Sequence, residues 1–99
     1  IGEIIMIITK KVTFIAKENS IEEMKALLKT MVQASKNEKG CLYYEIFQVK
    51  ENRAKFVVLE SWENEESLEG HKTTEHYKHY KATFEPFCAD KYSDELEII

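Results

Sequence analysis

The chain has 99 residues, 43% of them hydrophobic and 32% charged, which is enough for one domain with a single small core. Its formal net charge of -4 argues against a nucleic-acid partner, because such binding depends on Lys and Arg neutralising phosphates. The apolar runs are too short to span a bilayer, so we expect no membrane partner and a cytoplasmic location.

We expect residues 1–99 to form one domain. Met6 could be the native start, which would make residues 1–5 a non-native or flexible extension. The two cysteines, Cys41 and Cys88, lack the spacing of metal ligands. They are therefore expected to pack as small hydrophobic residues and not to pair.

The first half of the chain predicts a strand followed by a helix. Residues 7–16 are rich in β-branched side chains, which favour a strand. Ser20 with Glu23 three positions later has the pattern of a capping box, and an apolar stripe predicts a helix from there to about residue 36. Gly40 is suited to the left-handed residue that ends such a helix.

The second half predicts a hairpin, two helices and a last strand. Strands are expected over residues 41–49 and 55–62, joined by the polar turn 50–54. Asn64 is a suitable N-cap for a helix to about residue 71, and Thr73 or Thr74 for another to residue 84 or 87. Residues 92–99 then predict a final strand.

This order of elements is typical of the ferredoxin-like α+β fold, an antiparallel sheet with helices on one face. Such a sheet leaves its other face bare, and here that face would carry apolar and aromatic side chains. Since a monomer seldom exposes such a patch, we expect a homodimer packed sheet to sheet.

Two residues of the third strand, Glu60 and Trp62, share one face by strand alternation. A carboxylate on a covered face is costly unless it is hydrogen-bonded or functional, whereas at the rim it is merely solvated. Both interpretations stay open for Glu60, and Trp62 fits either a packed core or the wall of an aromatic pocket. Tyr44 is expected to lie with Leu42 and Ile46, where cross-strand packing already explains at least one of the neighbouring tyrosines.

All three histidines, His71, His76 and His79, fall within nine residues. They could form a solvated helix surface, bind a metal or transfer protons. Metal binding is disfavoured because no cysteine or acidic residue stands at a recognisable ligand spacing. Proton transfer suits imidazole, which as a residue type titrates near neutral pH.

Several short motifs between Gly40 and Tyr80 carry a resemblance to a known family. They are Gly40-Cys41, Tyr43/Tyr44 with Glu45, Glu60-Ser61-Trp62-Glu63, Leu68-Glu69-Gly70-His71 and Thr74-Glu75-His76-Tyr77. In this order they resemble the antibiotic biosynthesis monooxygenase family of small dimeric α+β barrels. Quinol monooxygenase-like members oxidise phenolic or quinol-type substrates with O₂ and without metal or flavin. The resemblance therefore implies no cofactor, with a small-molecule substrate and O₂ as partners.

A second branch of the family isomerises a phosphorylated autoinducer dione, and the run from His71 to Lys78 resembles it. That branch has Pro at position 75 and Tyr at position 62, where this chain has Glu75 and Trp62. A haem-degrading branch has Trp at position 71, so haem degradation is discounted.

The sequence thus predicts a pocket between sheet and helices. The expected catalytic residues are His71 or His76 as the base and Glu60 as its orienting or charge-stabilising partner. The expected substrate-binding residues are Phe14, Tyr44, Trp62, Lys72, Lys78 and His79, with the two lysines as possible phosphate anchors. The leading function is cofactor-independent monooxygenation of a small aromatic or quinol. The alternatives are an isomerase of a phosphorylated dicarbonyl and a non-catalytic metabolite-binding module.

Overall fold

The computed structural model describes residues 6–99, so the extension expected over residues 1–5 lies outside the described residues. None of the helices within this range is long and apolar enough to cross a bilayer. The elements, in chain order, are β1 (Ile8–Ala16), α1 (Ile21–Lys36), β2 (Cys41–Gln48), β3 (Lys55–Trp62), α2 (Glu65–His71), α3 (Glu75–Thr83) and β4 (Cys88–Leu96).

The four strands form one antiparallel sheet in the order β2-β3-β1-β4. The central strands, β1 and β3, pair from Ile8 opposite Trp62 to Ile15 opposite Lys55. Helix α1 joins β1 to β2, a hairpin turn joins β2 to β3, and the helices α2 and α3 join β3 to β4. This is the connectivity of the ferredoxin-like pattern. The predicted α+β, ferredoxin-like fold class is confirmed.

The start of α1 differs from the expected capping box. A short 3-10 turn, Glu18–Ser20, leads into the helix, and the Ser20 side chain makes no cap hydrogen bond. Its hydroxyl instead donates to Asn19 Oδ1 at 3.3 Å. Ser20 has φ -130° and ψ 18°, outside the extended region in which an N-cap side chain reaches the first helical N–H groups. The predicted capping box is therefore wrong, although the helix itself spans the expected residues.

The expected alternation in β2 is broken by a β-bulge between Cys41 and Tyr43. The extra residue, Leu42, is exposed, whereas Tyr44 is buried opposite Glu60. Grouping Leu42 with Tyr44 on one face was wrong, because a bulge places two residues of one strand opposite one of its partner and shifts the alternation.

Both short helices start at the predicted caps. Asn64 accepts a hydrogen bond from the Ser67 N–H at 2.8 Å, and Thr74 accepts one from the Tyr77 N–H at 3.3 Å. The last strand begins at Cys88, four residues earlier than expected, and ends at Leu96. Pro86 lies in a short 3-10 turn that ends at Phe87. The strand begins at the next residue, because Cys88 already pairs with Ala16 at the end of β1.

The two faces of the sheet differ in burial. The helix-covered face carries buried core side chains, among them Phe14, Tyr44, Phe56, Val58 and Trp62. The other face leaves large apolar side chains in solvent, namely Tyr43, Phe47, Tyr92 and Leu96. Both cysteines, within the described part of the chain, are unpaired, as expected. The sheet-to-sheet dimer expected from this bare face stays a prediction.

Candidate functional site

A cavity of about 170 Å³ lies between the helix-covered face of the sheet and the three helices. Its apolar wall includes Phe14 of β1, Val58 of β3 and Leu28 of α1. Its polar wall includes Glu60 of β3 and His71 of α2. The cavity therefore combines a surface for an apolar ring with a carboxylate and an imidazole.

On the sheet side, Glu60 is buried, with 7% of its surface exposed. Its Oε1 accepts a hydrogen bond from Trp62 Nε1 at 2.8 Å. Tyr44 lies directly across from it on β2, and Lys10 on β1. The rim interpretation of Glu60 is thus excluded, and the indole N–H offsets part of the cost of burying the carboxylate. Trp62 itself is 0% exposed and lies behind the cavity wall.

On the helix side, His71 is the last residue of α2 and only 2% exposed. Its ring packs against the Trp62 indole with centroids 4.5 Å apart, and Tyr77 meets it edge-on at 5.1 Å. These aromatic contacts fix the plane of the imidazole.

The hydrogen-bond partner of His71 is Glu38, a residue that the sequence did not single out. His71 Nδ1 lies 2.6 Å from Glu38 Oε2, and His76 Nε2 lies 2.6 Å from the same oxygen. A carboxylate accepts, so each imidazole places a proton on the nitrogen that faces Glu38. Neutral His71 then carries its lone pair on Nε2, which has no hydrogen-bond partner among residues 6–99. This is the arrangement of an oriented general base.

The backbone turn after α1 holds Glu38 in place. The Glu38 N–H donates to Ser35 O at 3.0 Å, and Glu38 O accepts from the Cys41 N–H at 3.2 Å. Gly40 has φ +85°, the left-handed conformation that its position predicted, and a Cβ there would lie 2.1 Å from Ser67 Oγ. The lack of a side chain at Gly40 thus lets the turn between α1 and β2 pack closely against Ser67 of α2.

Burial sets the charge of the other polar side chains in the cavity. Burial raises the pKa of Tyr44, Tyr77 and Tyr80, so that these phenols stay protonated at neutral pH. Burial lowers the pKa of Lys91, whose ammonium lies over the Phe14 ring at 5.6 Å. The phenols are therefore poor bases at neutral pH, which leaves the imidazole and the carboxylate for proton transfer.

The remaining predicted site residues differ in where they lie relative to the cavity. Lys72 lines the cavity mouth and bonds to Glu69 at 3.0 Å, which raises the pKa of Lys72. His76 is oriented toward Glu38 and is not part of the cavity wall. Lys78 and His79 are exposed and lie outside the cavity. The wall also includes Lys10 and Lys91, two cations that the sequence did not indicate.

Comparisons with known proteins agree with this architecture. Residues 6–83 match the family described as antibiotic biosynthesis monooxygenase. A Bacillus subtilis (strain 168) protein named "Putative monooxygenase YcnE" is 30% identical over 66 residues, which are 67% of this chain and 70% of that protein.

Solved structures show the same fold. The crystal structure of PA3566 from Pseudomonas aeruginosa has a TM-score of 0.93 and 26% identity, covering 99% of both chains. The structure of Rv0793 from Mycobacterium tuberculosis, at 19% identity, has a TM-score of 0.87 and covers 94% of this chain and 95% of its own. Since the family match spans most of the chain, from the first strand to the end of α3, the protein belongs to the antibiotic biosynthesis monooxygenase family.

Proposed function

We propose that this protein is a cofactor-independent monooxygenase that acts on a small aromatic or quinol-type substrate, with His71 as the general base. One observation carries the proposal: His71 lies in the cavity wall and is oriented by Glu38 at 2.6 Å, which leaves Nε2 free to accept a proton. The relative named as a monooxygenase supports the same class of reaction.

The reaction begins when His71 Nε2 removes a proton from a phenolic O–H or an activated ring C–H. The resulting electron-rich anion reduces O₂ and forms a C–O bond, giving a peroxide on the ring. The O–O bond of the peroxide then breaks as the same ring carbon loses its hydrogen, which leaves a carbonyl and a hydroxide ion. The protonated His71 returns its proton to this hydroxide, which departs as water. One oxygen atom enters the substrate and the other leaves as water, so the substrate supplies all the electrons.

The two carboxylates have different parts in this scheme. Glu38 holds the tautomer of His71 and stabilises the imidazolium that forms, a role that we had predicted for Glu60. Glu60 borders the cavity and bonds to Trp62, and we assign it the role of acceptor for a second substrate hydroxyl. At about 170 Å³ the cavity is smaller than the ~300–1,000 Å³ typical of drug-sized ligands, which favours a substrate of one or two rings.

Oxygen uptake with a panel of quinols and anthrones in chelator-treated buffer tests the proposal. We expect turnover by the native protein and a fall of about 10²–10⁴-fold in kcat for His71→Ala. Glu22→Gln, on the exposed side of α1, is the matched surface control and should retain full activity. Absence of uptake by the native protein, or equal uptake by His71→Ala, would contradict the proposal.

A second candidate, isomerisation of a phosphorylated dicarbonyl, is favoured by the cations around the cavity, Lys10, Lys72 and Lys91. Such cations could anchor a phosphate while His71 moves the proton. This function predicts turnover of a phosphorylated dione that is lost in Lys72→Met and retained in Lys78→Met, because only Lys72 lines the cavity. Saturable binding without product in either assay would instead indicate a metabolite-binding module.

We also propose that two copies pack through the bare sheet face. The exposed Phe47 and Tyr92 lie on that face, and a second copy would cover them. Sedimentation should show a dimer for the native protein and a shift to monomer for Phe47→Glu. A clean monomer of the native protein at micromolar concentration would exclude this assembly. The cytoplasmic location and the lack of a nucleic-acid partner stay predictions.

A further inference from the structure

Three possible metal-ligand atoms converge beside the cavity from three separate segments. They are Glu38 Oε2 from the turn after α1, His71 Nδ1 from the end of α2 and His76 Nε2 from the first turn of α3, all within 4.8 Å of one another. The prediction against a metal rested on ligand spacing along the chain. The carboxylate stands 33 positions before His71, so that spacing could not indicate it.

Two imidazoles and one carboxylate form a donor set that suits borderline divalent ions such as Zn²⁺ and Co²⁺. Each imidazole nitrogen now lies 2.6 Å from Glu38 Oε2, joined by a proton. An ion at ~2.0–2.2 Å from each donor would separate them to roughly 3.3 Å, so the carboxylate must withdraw by less than about 1 Å. Thr74 Oγ1, 3.2 Å from His76 Nε2, borders the same point.

The cluster is open to solvent on the side away from the cavity. The side chains of Glu38 and His76 are 13% and 21% exposed, whereas His71 is closed off. An open hollow reaches Glu38 from outside, and its walls include Glu63 and Glu66 against a single cation, Lys39. Negative charge along this route favours the approach of a cation.

We propose that Glu38, His71 and His76 form a binding site for a divalent transition-metal ion, and that the ion inhibits the protein by capturing His71. An ion bound at Nδ1 displaces the proton there, so neutral His71 must carry its proton on Nε2. His71 Nε2, which the proposed reaction needs as a proton acceptor, then carries a proton and can act only as a hydrogen-bond donor. Only this inhibitory consequence rests on the proposed function, and metal binding itself does not.

Titration of the full-length, chelator-treated protein with Co²⁺ tests binding without reference to activity. We expect one equivalent of Co²⁺ with the visible absorption of a site of low coordination number, and competitive displacement by Zn²⁺. His76→Ala, outside the cavity wall, should weaken binding at least tenfold, and Glu38→Gln should weaken it comparably. His79→Ala is the matched control, because this histidine is exposed and outside the cluster, and it should bind as the native protein does.

Circular dichroism of each variant separates loss of a ligand from loss of folding. Unchanged affinity in a folded His76→Ala protein, or loss of the bound equivalent in His79→Ala, would overturn the metal site. In the oxygen-uptake assay, Zn²⁺ should inhibit the native protein over the same concentration range in which it binds. Stimulation of turnover by any of these ions would overturn the inhibitory assignment. A native protein that binds Co²⁺ but oxidises no substrate would refute the proposed function and leave the metal site standing.

Discussion

The cavity has a sheet wall, which includes Glu60 of β3, and a helix wall, which includes His71 of α2, and the two are built in different ways. In the sheet wall, Glu60 borders the cavity and its partner Trp62 lies behind it, two residues along the same central strand. Backbone pairing with β1 and β2 fixes both residues. In the helix wall, only His71 borders the cavity, and Glu38 and His76 lie behind it. The three residues come from separate segments, and their side chains meet at one oxygen atom, Glu38 Oε2.

This difference separates stability from chemistry. A side chain on a central strand is held by backbone hydrogen bonds and by neighbours on both sides, so its removal chiefly affects folding. Aromatic contacts fix the plane of the His71 ring, whereas Glu38 sets its tautomer, so loss of the Glu38 carboxylate changes the tautomer while most packing remains. The sheet wall should therefore respond in stability and the helix wall in turnover.

The largest expected effect is on the helix wall. Glu38→Gln removes the charge that stabilises the imidazolium, and its amide can donate as well as accept, so the His71 tautomer is no longer fixed. We expect kcat in the oxygen-uptake assay to fall by about 10²–10⁴-fold, with a smaller change in the free energy of unfolding than on the sheet wall. An unchanged kcat in a folded Glu38→Gln protein would show that His71 does not depend on Glu38.

The next effect concerns the turn that carries Glu38. Gly40→Ala introduces a Cβ at φ +85° and 2.1 Å from Ser67 Oγ, so Ser67 or the turn must move. The left-handed conformation alone costs roughly 1–2 kcal/mol, and the contact adds to it. Urea unfolding should show the corresponding decrease in the free energy of unfolding.

Gly70→Ala is the matched control for that prediction, because a Cβ at Gly70 meets nothing within 4 Å and Gly70 lies inside α2. It should raise stability by about 0.5–1 kcal/mol. Equal effects of the two substitutions would contradict the role given to the turn.

On the sheet wall, Trp62→Phe keeps an aromatic ring but removes the N–H that bonds Glu60. A buried carboxylate oxygen that loses its donor costs about 1–3 kcal/mol, so the midpoint of urea unfolding should fall. The double variant with Glu60→Gln should recover part of the loss, because an amide is less costly to leave unpaired than a charge. Additive losses would indicate that the two side chains are not coupled.

The smallest effect compares two helix starts. Asn64→Ala removes a side-chain cap of α2 and should lower the free energy of unfolding by about 0.5–2 kcal/mol. Ser20→Ala removes a hydroxyl that caps nothing, so its effect should be well below that of Asn64→Ala. A larger loss for Ser20→Ala would show that this hydroxyl does stabilise α1.

Features that depend on neighbours along the chain were predictable. Strand alternation placed Glu60 with Trp62, and side-chain chemistry predicted a cap at Asn64 and another at Thr73 or Thr74, of which the structure uses Thr74. Gly40 predicted the left-handed turn that it adopts. Each follows from residues at most a few positions apart.

Features that depend on contacts between distant segments were not predictable. In the sequence, Glu38 is an ordinary polar residue after a helix, and only tertiary packing brings it to His71 and His76. The bulge at Leu42 likewise has no Gly to mark it, because it arises from pairing with β3. Lys91 reaches the cavity only through the pairing of β4 with β1, where it lies opposite Phe14.

The turn between α1 and β2 has a consequence for how such domains diversify. Lengthening a surface turn by one or two residues costs a folded protein little, since loop-closure entropy grows slowly with length. Here the same change would displace Glu38 from His71 while the strands on either side kept their register. Turn length at this single place is thus a simple evolutionary route by which a domain of this architecture retains its sheet and cavity and exchanges one chemistry for another.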